Sequence, residues 1–314
     1  MKKIIRLIIL LTLVGFQNLA AQNNLPRLEK IGNRYQLVVN ESPFLMLGGE
    51  LGNSTASTMR SMKPVWSKLK AMHLNTLLIP IYWELLEPVE GQFDYQLLDE
   101  LILEARRQDF KLVLLWFGSW KNSMSSHVPA WVKLDQQRFP RAKSADGISQ
   151  EILSPFSENN LYADLRAYQK IMERIRQIDA GYQTVILMQP ENEIGMLPSA
   201  RDYHPLATEK FQAVIPNDLM DYLGHNKAQL NPEFAAMWAK NGHKTAGTWE
   251  SVFGKGLHTE EIFMAYYFAK YVNEISKAGK AIYALPTFVN AALNRPGTKP
   301  GDYPSAGPLP HILD

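Results

Sequence analysis

The stretch TVILMQPENEIG, Thr184 to Gly195, runs from continuous apolar sequence into two carboxylates on either side of an asparagine. An unbroken apolar run of this kind is typical of a parallel strand that is covered on both faces. Four further runs share this character, and they cover residues 43–50, 75–83, 110–118 and 281–288. Helical spacing of apolar residues lies between the runs, at 64–72, 94–105, 161–175 and 260–278. This alternation predicts an α/β fold, either a doubly wound sheet or a (β/α)8 TIM barrel.

The residues that follow the predicted strands favour the barrel. A nucleotide-binding sheet is expected to carry a glycine-rich phosphate loop, and the sequence has neither G-x-G-x-x-G nor a P-loop motif. The strands instead lead into carboxylates, amides and aromatic rings: Glu50, Tyr82-Trp83-Glu84, Trp116, Ser119-Trp120 and Glu191-Asn192-Glu193. A (β/α)8 barrel keeps its active site at the carboxyl-terminal ends of its strands.

Glu193 is the candidate catalytic residue. Hydrolysis of a glycosidic bond needs one carboxylic acid that protonates the leaving oxygen and a second carboxylate that stabilises or attacks the sugar carbon. Glu193 suits the proton donor, and Asn192 beside it could hold a sugar hydroxyl. Glu50, Trp83 and Trp120 are candidate substrate-binding residues, because a tryptophan ring offers a flat apolar face to a sugar.

Each candidate also has a structural alternative. Glu193 could be paired with an arginine or lysine, Asn192 could cap the strand, and Glu50 could order a turn. The two tryptophans could belong to the core. Glu191 is expected to point to the other side of the chain and to be structural, in an ion pair.

The first 21 residues have the pattern of a secretory signal peptide. Lys2, Lys3 and Arg6 precede an apolar run, and small residues follow at Ala20-Ala21. The run is shorter than the ~20 residues that a spanning helix needs, which makes an uncleaved anchor the less favoured alternative. We therefore predict an exported protein whose mature part, residues 22–314, is a single barrel domain without a membrane segment.

Composition narrows the class of partner. Without Lys2, Lys3 and Arg6, the predicted mature chain has 30 of the 33 lysines and arginines and 31 aspartates and glutamates. Its net charge of about −1 gives no electrostatic reason for nucleic acid binding. The absence of cysteine excludes disulfides and a lipidated cysteine, so a periplasmic or secreted protein is expected. The 7 histidines are scattered without metal-binding spacing, so neither a metal nor a cofactor is expected.

Around Glu193 the sequence resembles glycoside hydrolase family 35, the β-galactosidases, within the clan of retaining glycosidase barrels. The family motif Gln-Val-Glu-Asn-Glu-Tyr-Gly is matched by residues 189–195, with Pro190 and Ile194 as departures. Residues 65–95 are similar to the second unit of the family, and residues 129–131 match its Pro-Ala-Trp segment. The preceding third-strand segment departs from the family, and that segment helps to hold galactose in better-known members.

The resemblance implies a retaining exo-β-galactosidase that releases terminal galactose from oligo- or polysaccharides, with Glu193 as acid/base. The clan places its nucleophile, a glutamate, at the end of strand seven, and no buried strand ending in glutamate follows residue 195. The expectation is a barrel truncated after about five strands, with its nucleophile beyond Asp314, so that the chain as given is unstable or inactive. The alternatives are a β-glucosidase or mannanase of the same clan, and a non-catalytic carbohydrate-binding barrel.

The segment 196–258 is predicted to be a helical insertion over the barrel mouth. It contains two short helices, NDLMDYLG and NPEFAAMWAKNG. Tyr203, His204, Trp238 and Trp249 are candidates for contact with a polysaccharide acceptor, and the alternative is that they only pack.

Overall fold

The computed structural model describes residues 25–292 and 297–305. The predicted signal peptide, residues 1–21, lies outside the described residues. The strands are β1 (Arg27–Ile31), β2 (Arg34–Val39), β3 (Ser42–Pro43), β4 (Gly48–Glu50), β5 (Thr76–Tyr82), β6 (Lys111–Lys121), β7 (Arg141–Lys143), β8 (Ser149–Leu153) and β9 (Val185–Asn192). The helices are α1 (Met59–Met62), α2 (Trp66–Ala71), α3 (Trp83–Leu86), α4 (Gln96–Arg107), α5 (Ala130–Leu134), α6 (Glu158–Asp179), α7 (Pro205–Gln212), α8 (Asn217–His225), α9 (Pro232–Lys240), α10 (Trp249–Phe253) and α11 (Leu257–Ile282). In the described ranges, no helix is long and apolar enough to cross a membrane.

A parallel sheet in the order β4-β5-β6-β9 forms the centre of the molecule. Each strand arises from one of the predicted apolar runs, and α4 and α6 lie in the crossovers between neighbouring strands. Four parallel strands with helical crossovers are the architecture of a partial (β/α)8 barrel, which confirms the predicted fold class.

Both faces of β6 are buried, as its continuous apolar sequence predicts. Leu112, Leu114 and Trp116 belong to the large core that includes the apolar faces of α4, α6 and α11. Val113 and Leu115 alternate with them and belong to a second, smaller core on the other face. Burying each such side chain contributes about 1.5–3 kcal/mol, so a strand of this composition is stable only between two layers.

The second core is covered by the antiparallel sheet β1-β2-β3, which the sequence pattern did not predict. Leu37 and Val39 of β2 pack with Val113, Leu115 and Ile186 of the parallel sheet. The backbone N–H of the residue after β2, Asn40, donates to the Gln183 side chain over 2.7 Å. In the described chain, this small sheet therefore closes the face of the parallel sheet that lies opposite the helices.

The fifth predicted strand, residues 281–288, is not formed as predicted. Helix α11 continues to Ile282, and the remainder makes one isolated parallel bridge, between Met188 and Thr287. The first two residues of the predicted strand are taken up by the carboxyl-terminal end of α11, and only residues near Thr287 pair with β9.

Gly279 lies inside α11 and does not end the helix, contrary to the expectation from its sequence. A β-carbon at this position would lie 2.3 Å from Cε1 of Tyr168 and 3.1 Å from Cγ of Met172, both on α6. The glycine is therefore required for the close approach of two long helices and not for a left-handed cap.

The helical insertion is confirmed in outline. The two predicted helices correspond to α8 and α9, and the Asn231 side chain caps α9 by accepting from the Glu233 N–H over 2.9 Å. Helices α7 and α10 flank this pair, and the hairpin β7–β8 precedes α6; none of these was predicted.

We expect Gly279→Ala to destabilise the protein by about 1–3 kcal/mol, because its methyl group overlaps the buried Tyr168 ring. Gly224→Ala is the matched control, because Gly224 is also helical, is exposed and has no atom within 4 Å of the place that a β-carbon would occupy. The control should be neutral or slightly stabilising, since alanine favours a helix by about 0.5–1 kcal/mol. Urea unfolding of both variants measures the difference; equal stabilities would contradict the packing argument.

Candidate active site

The end of β9 has an unusual backbone conformation. Glu191 and Glu193 have φ angles of 62° and 47°, and Asn122 and Ser123 opposite them have 52° and 67°. Side-chain-bearing residues rarely occupy this left-handed region, and clusters of them are found at functional sites. Residues two apart in a regular strand share a face, so it is this backbone that separates the buried Glu191 from the partly exposed Glu193.

Backbone hydrogen bonds hold the strand end in place. The Glu193 N–H donates to the Asn290 carbonyl over 2.9 Å, and the Glu193 carbonyl accepts from the Ser123 N–H over 2.9 Å. The Asn122 N–H donates to the Asn192 carbonyl over 3.1 Å. The carboxyl end of β9 is thus fixed from both sides while the Glu193 side chain remains partly exposed.

The Asn192 side chain is 1% exposed and is held by three amides. Its Oδ1 accepts from Gln189 Nε2 over 3.0 Å and from Asn290 Nδ2 over 3.1 Å, and its Nδ2 donates to Asn122 Oδ1 over 3.1 Å. The Asn192 amide therefore accepts two hydrogen bonds through its oxygen and donates one through its nitrogen, which leaves one N–H without a partner among these three amides. Its role toward a sugar stays a prediction, and the second N–H is the group that could serve it.

Lys121 lies near two of the predicted site residues, Glu50 and Glu193. It lies at the end of β6, paired with Asn192 across the ladder, and its ammonium donates to the Asn122 side chain. Burial lowers the pKa of Lys121, and the charges of Glu193 and Glu50 oppose that effect. Two of the predicted site residues thus lie close enough to Lys121 for their charges to act on its ammonium. Sequence reasoning missed Lys121, although its place directly after the predicted strand-end residue Trp120 was an available signal.

Trp83 and Trp120 do not line an open site. Both side chains are fully buried. The Trp83 indole donates to Glu87 over 2.9 Å, and that of Trp120 donates to the Leu153 carbonyl over 3.1 Å. The Trp120 ring packs 4.5 Å from the ring of Tyr271. The expectation that these rings present a face to a sugar is corrected, because a ring enclosed on all sides belongs to the core.

The tryptophans of the helical insertion are also core residues. Trp238 is 2% exposed and Trp249 is fully buried, with its ring 5.2 Å from that of Phe263. The Tyr203 hydroxyl is hydrogen-bonded to Glu260 over 2.9 Å. Trp249 packs α10 against α11, and the Trp238 indole donates to the Lys244 carbonyl over 2.9 Å within the insertion. In this structure neither ring is available to an acceptor sugar.

Glu191 is buried, with 1% of its surface exposed, but it has no ion pair in the described ranges. Its carboxyl accepts from the backbone N–H groups of Ser119, over 3.1 Å, and Trp120, over 2.7 Å. Glu191 interacts with another carboxyl, that of Asp164, and not with a cation, so the prediction of an ion pair is wrong. Within the described residues, no group of three or more His, Asp and Glu side chains is arranged to hold a metal ion.

Solved structures of β-galactosidases share this fold. The chain matches the cold-adapted enzyme from Rahnella sp. R3 with a TM-score of 0.51 and 17% identity, over 78% of this chain and 36% of that one. For the enzyme from Bacillus circulans sp. alkalophilus the TM-score is 0.54 and the identity 13%, over 78% and 36% of the two chains. A catalytic mutant of the family 42 β-galactosidase from G. stearothermophilus gives 0.53 and 17%, over 78% and 35%. The chain therefore spans about a third of the length of these structures.

No curated protein matches the sequence significantly. The family model of the glycoside hydrolase family 42 β-galactosidases matches residues 56–250, which is more than half of the chain. This match corrects the resemblance to family 35, which rested on a short motif at one strand end that did not separate two families of β-galactosidases. The match spans β5, β6 and β9 together with the strand end that carries Glu193. By this match, the chain belongs to glycoside hydrolase family 42.

Proposed function

We propose that the protein is a retaining exo-β-galactosidase that removes terminal β-linked galactose from oligo- or polysaccharides, with Glu193 as its acid/base residue. The observation that carries this proposal is the placement of Glu193. It is a partly exposed carboxylate at the end of a parallel strand, held in a left-handed conformation beside a buried amide and a lysine. Membership of a β-galactosidase family supports the choice of sugar.

In this proposal the Glu193 carboxyl first donates its proton to the glycosidic oxygen, which lets the aglycone leave. As a carboxylate it then accepts a proton from the water that releases the sugar. A second carboxylate on the opposite face of the sugar ring is needed for the double displacement. Glu193 thus supplies the proton-transfer half of that reaction.

Glu50 is proposed to contact the substrate. It is exposed at the carboxyl end of β4 and is close enough to Lys121 for its charge to affect that ammonium. Carboxylates at this position can accept hydrogen bonds from sugar hydroxyls, which is how polar groups in a sugar site select orientation. We also propose, from the sequence of residues 1–21, that the protein is exported to the periplasm or secreted.

We expect Glu193→Ala to lower kcat on unactivated β-galactosides by about 10²–10⁴-fold, the usual contribution of a general acid. The loss should be much smaller on aryl galactosides with excellent leaving groups, which need no proton. Azide should then restore turnover and form β-galactosyl azide, because it needs no base to attack the intermediate. Glu274→Gln, at a partly exposed residue paired with Lys277, is the control. A loss that is equal for good and poor leaving groups would exclude Glu193 as the acid.

Asn192 is tested by a cycle that combines Asn192→Ala with a 2-deoxy-galactoside. If the Asn192 amide holds the 2-hydroxyl, removing either partner costs about 1–3 kcal/mol of transition-state stabilisation, and removing both costs little more. Additive losses in kcat/KM would show that Asn192 acts only through its contacts with Gln189, Asn290 and Asn122. Urea unfolding of the variant separates this structural effect from the kinetic one.

The choice of sugar is tested by comparing aryl β-galactoside, β-glucoside and β-mannoside. We expect kcat/KM for the galactoside to exceed the others by at least about tenfold, because a site built around one hydroxyl configuration leaves polar groups unpaired with its epimer. A preference for the glucoside or mannoside would leave the role of Glu193 intact and change the substrate.

A further inference from the structure

Two buried carboxyl groups lie directly behind the proposed active site. Glu191, from the end of β9, is 1% exposed, and Asp164, from α6, is fully buried. Both carboxyls accept from the same backbone N–H, that of Ser119, each over 3.1 Å, so their oxygens lie side by side. A β-carbon added at Gly118 would lie 2.6 Å from Glu191 Oε1 and 2.7 Å from Asp164 Oδ1. The pair therefore occupies the space that a side chain at this position of β6 would fill.

Every donor to this pair is neutral. Asp164 accepts from the Trp116 indole over 2.8 Å, the Ser119 hydroxyl over 2.6 Å, the Ser119 N–H over 3.1 Å and the Tyr271 hydroxyl over 3.4 Å. Glu191 accepts from the Trp120 N–H over 2.7 Å and shares the Ser119 N–H. In the described ranges, neither carboxyl is paired with a lysine, arginine or histidine.

The other titratable groups that face the pair are Tyr168, on α6, and Tyr271, on α11. Both side chains are buried, and the Tyr271 hydroxyl is 2.8 Å from that of Ser119. Burial, followed by the negative charge of Asp164, raises the pKa of both tyrosines, so they remain neutral. The surroundings of the pair, from β6, α6 and α11, thus contain no compensating positive charge.

We propose that Glu191 and Asp164 share one proton at neutral pH, and that this singly charged pair positions the strand end that carries Glu193. Two carboxylates in hydrogen-bond contact without a cation repel each other and lose their hydration, so one of them must be protonated. A hydrogen bond between two carboxyl groups also requires a proton on one of them.

The proton resides on Glu191. Asp164 receives four donors, from Trp116, Ser119 and Tyr271, which suits the charged form, whereas Glu191 receives two backbone N–H groups and shares one of them. Burial, followed by the charge of Asp164, raises the pKa of Glu191 well above its usual range. Glu191 is then the donor and Asp164 the acceptor of the bond between them.

The pair takes the place of missing backbone bonds between β6 and β9. The regular ladder stops at Trp116 and Pro190 and resumes at Lys121 and Asn192. In the gap, the N–H groups of Ser119 and Trp120 donate to the Glu191 carboxyl and not to a backbone carbonyl. The next residues on the two strands are those of the proposed active site. The positioning part of this inference rests on the proposed role of Glu193, whereas the sharing of a proton does not.

Glu191→Gln is the decisive variant, because its amide can donate to Asp164 and accept from Trp120 as a protonated glutamate does. For the wild type, we expect the melting temperature to fall as pH rises above the usual glutamate pKa of 4.5 and toward the raised pKa of folded Glu191. In this range Glu191 keeps its proton in the folded state and is ionised in the unfolded chain, so rising pH favours unfolding. Glu191→Gln should flatten this slope. An unchanged slope would overturn the sharing of a proton.

Infrared difference spectra between wild type and Glu191→Gln provide a measurement that needs no substrate. A protonated carboxyl has a carbonyl band distinct from that of carboxylate, and we expect this band at neutral pH in the wild type only. The other buried acids with raised pKa, Asp202 and Glu261, are present in both proteins and cancel. No difference band, or stability that depends on the concentration of a monovalent cation, would mean that a bound ion and not a proton neutralises the pair.

Catalysis tests the positioning role. Glu191→Ala should reduce kcat by about 10²-fold, the effect of a small displacement of a reacting group, and Glu191→Gln should lose far less. Equal losses in a folded Glu191→Gln variant would overturn positioning. These kinetic tests need a protein that also supplies the second carboxylate. If neither the wild type nor any variant of such a protein hydrolyses galactosides, the proposed function fails, while the infrared and melting results still decide whether the proton is shared.

Discussion

The attachment of β6 to β9 beyond the end of their regular ladder is the constraint on which the site depends. Between the paired positions at either end of the gap, β6 advances by five residues, from Trp116 to Lys121, and β9 by two, from Pro190 to Asn192. The extra length of β6 leaves its N–H groups without backbone partners on β9. The Glu191 side chain accepts from two of them, and this contact keeps the two strand ends together at the point where polar chemistry begins.

The use of the Glu191 carboxyl to join β6 and β9 costs free energy at the strand end and also connects the sheet to the helices. Glu191 and Glu193 adopt left-handed backbone conformations, and Glu191 and Asp164 are withdrawn from water. The same group of residues connects four elements: Trp116 and Ser119 from β6, Asp164 from α6, Tyr271 from α11, and Glu191 from β9. Gly279 allows α11 and α6 to approach closely enough for Tyr271 and Asp164 to meet. The geometry of the site is therefore tied to helix packing on the outer face of the sheet.

Much of the sheet could be predicted from sequence because a strand that is buried on both faces carries a continuous apolar run, which is visible along the chain. The runs at 75–83, 110–118 and 184–189 consist almost entirely of apolar residues, and they form β5, β6 and β9. The run at 281–288 is also apolar, yet α11 extends into it and only an isolated bridge follows. The sheet β1-β2-β3 was missed because its strands are half exposed and carry a weaker pattern.

The sequence by itself determined that carboxylates and an amide follow a buried parallel strand, which indicates a barrel and places Glu50, Asn192 and Glu193 at strand ends. Tertiary structure alone decided what surrounds each side chain. Trp83 and Trp120 have the same local context as residues that line a site, but neighbouring helices and loops enclose them. Likewise, Glu191 meets a carboxyl 27 residues before it in sequence, on α6, and not the cation that an isolated glutamate would suggest. Strand patterns depend on neighbours along the chain, whereas exposure and charge environment depend on contacts between elements distant in sequence, which no local pattern encodes.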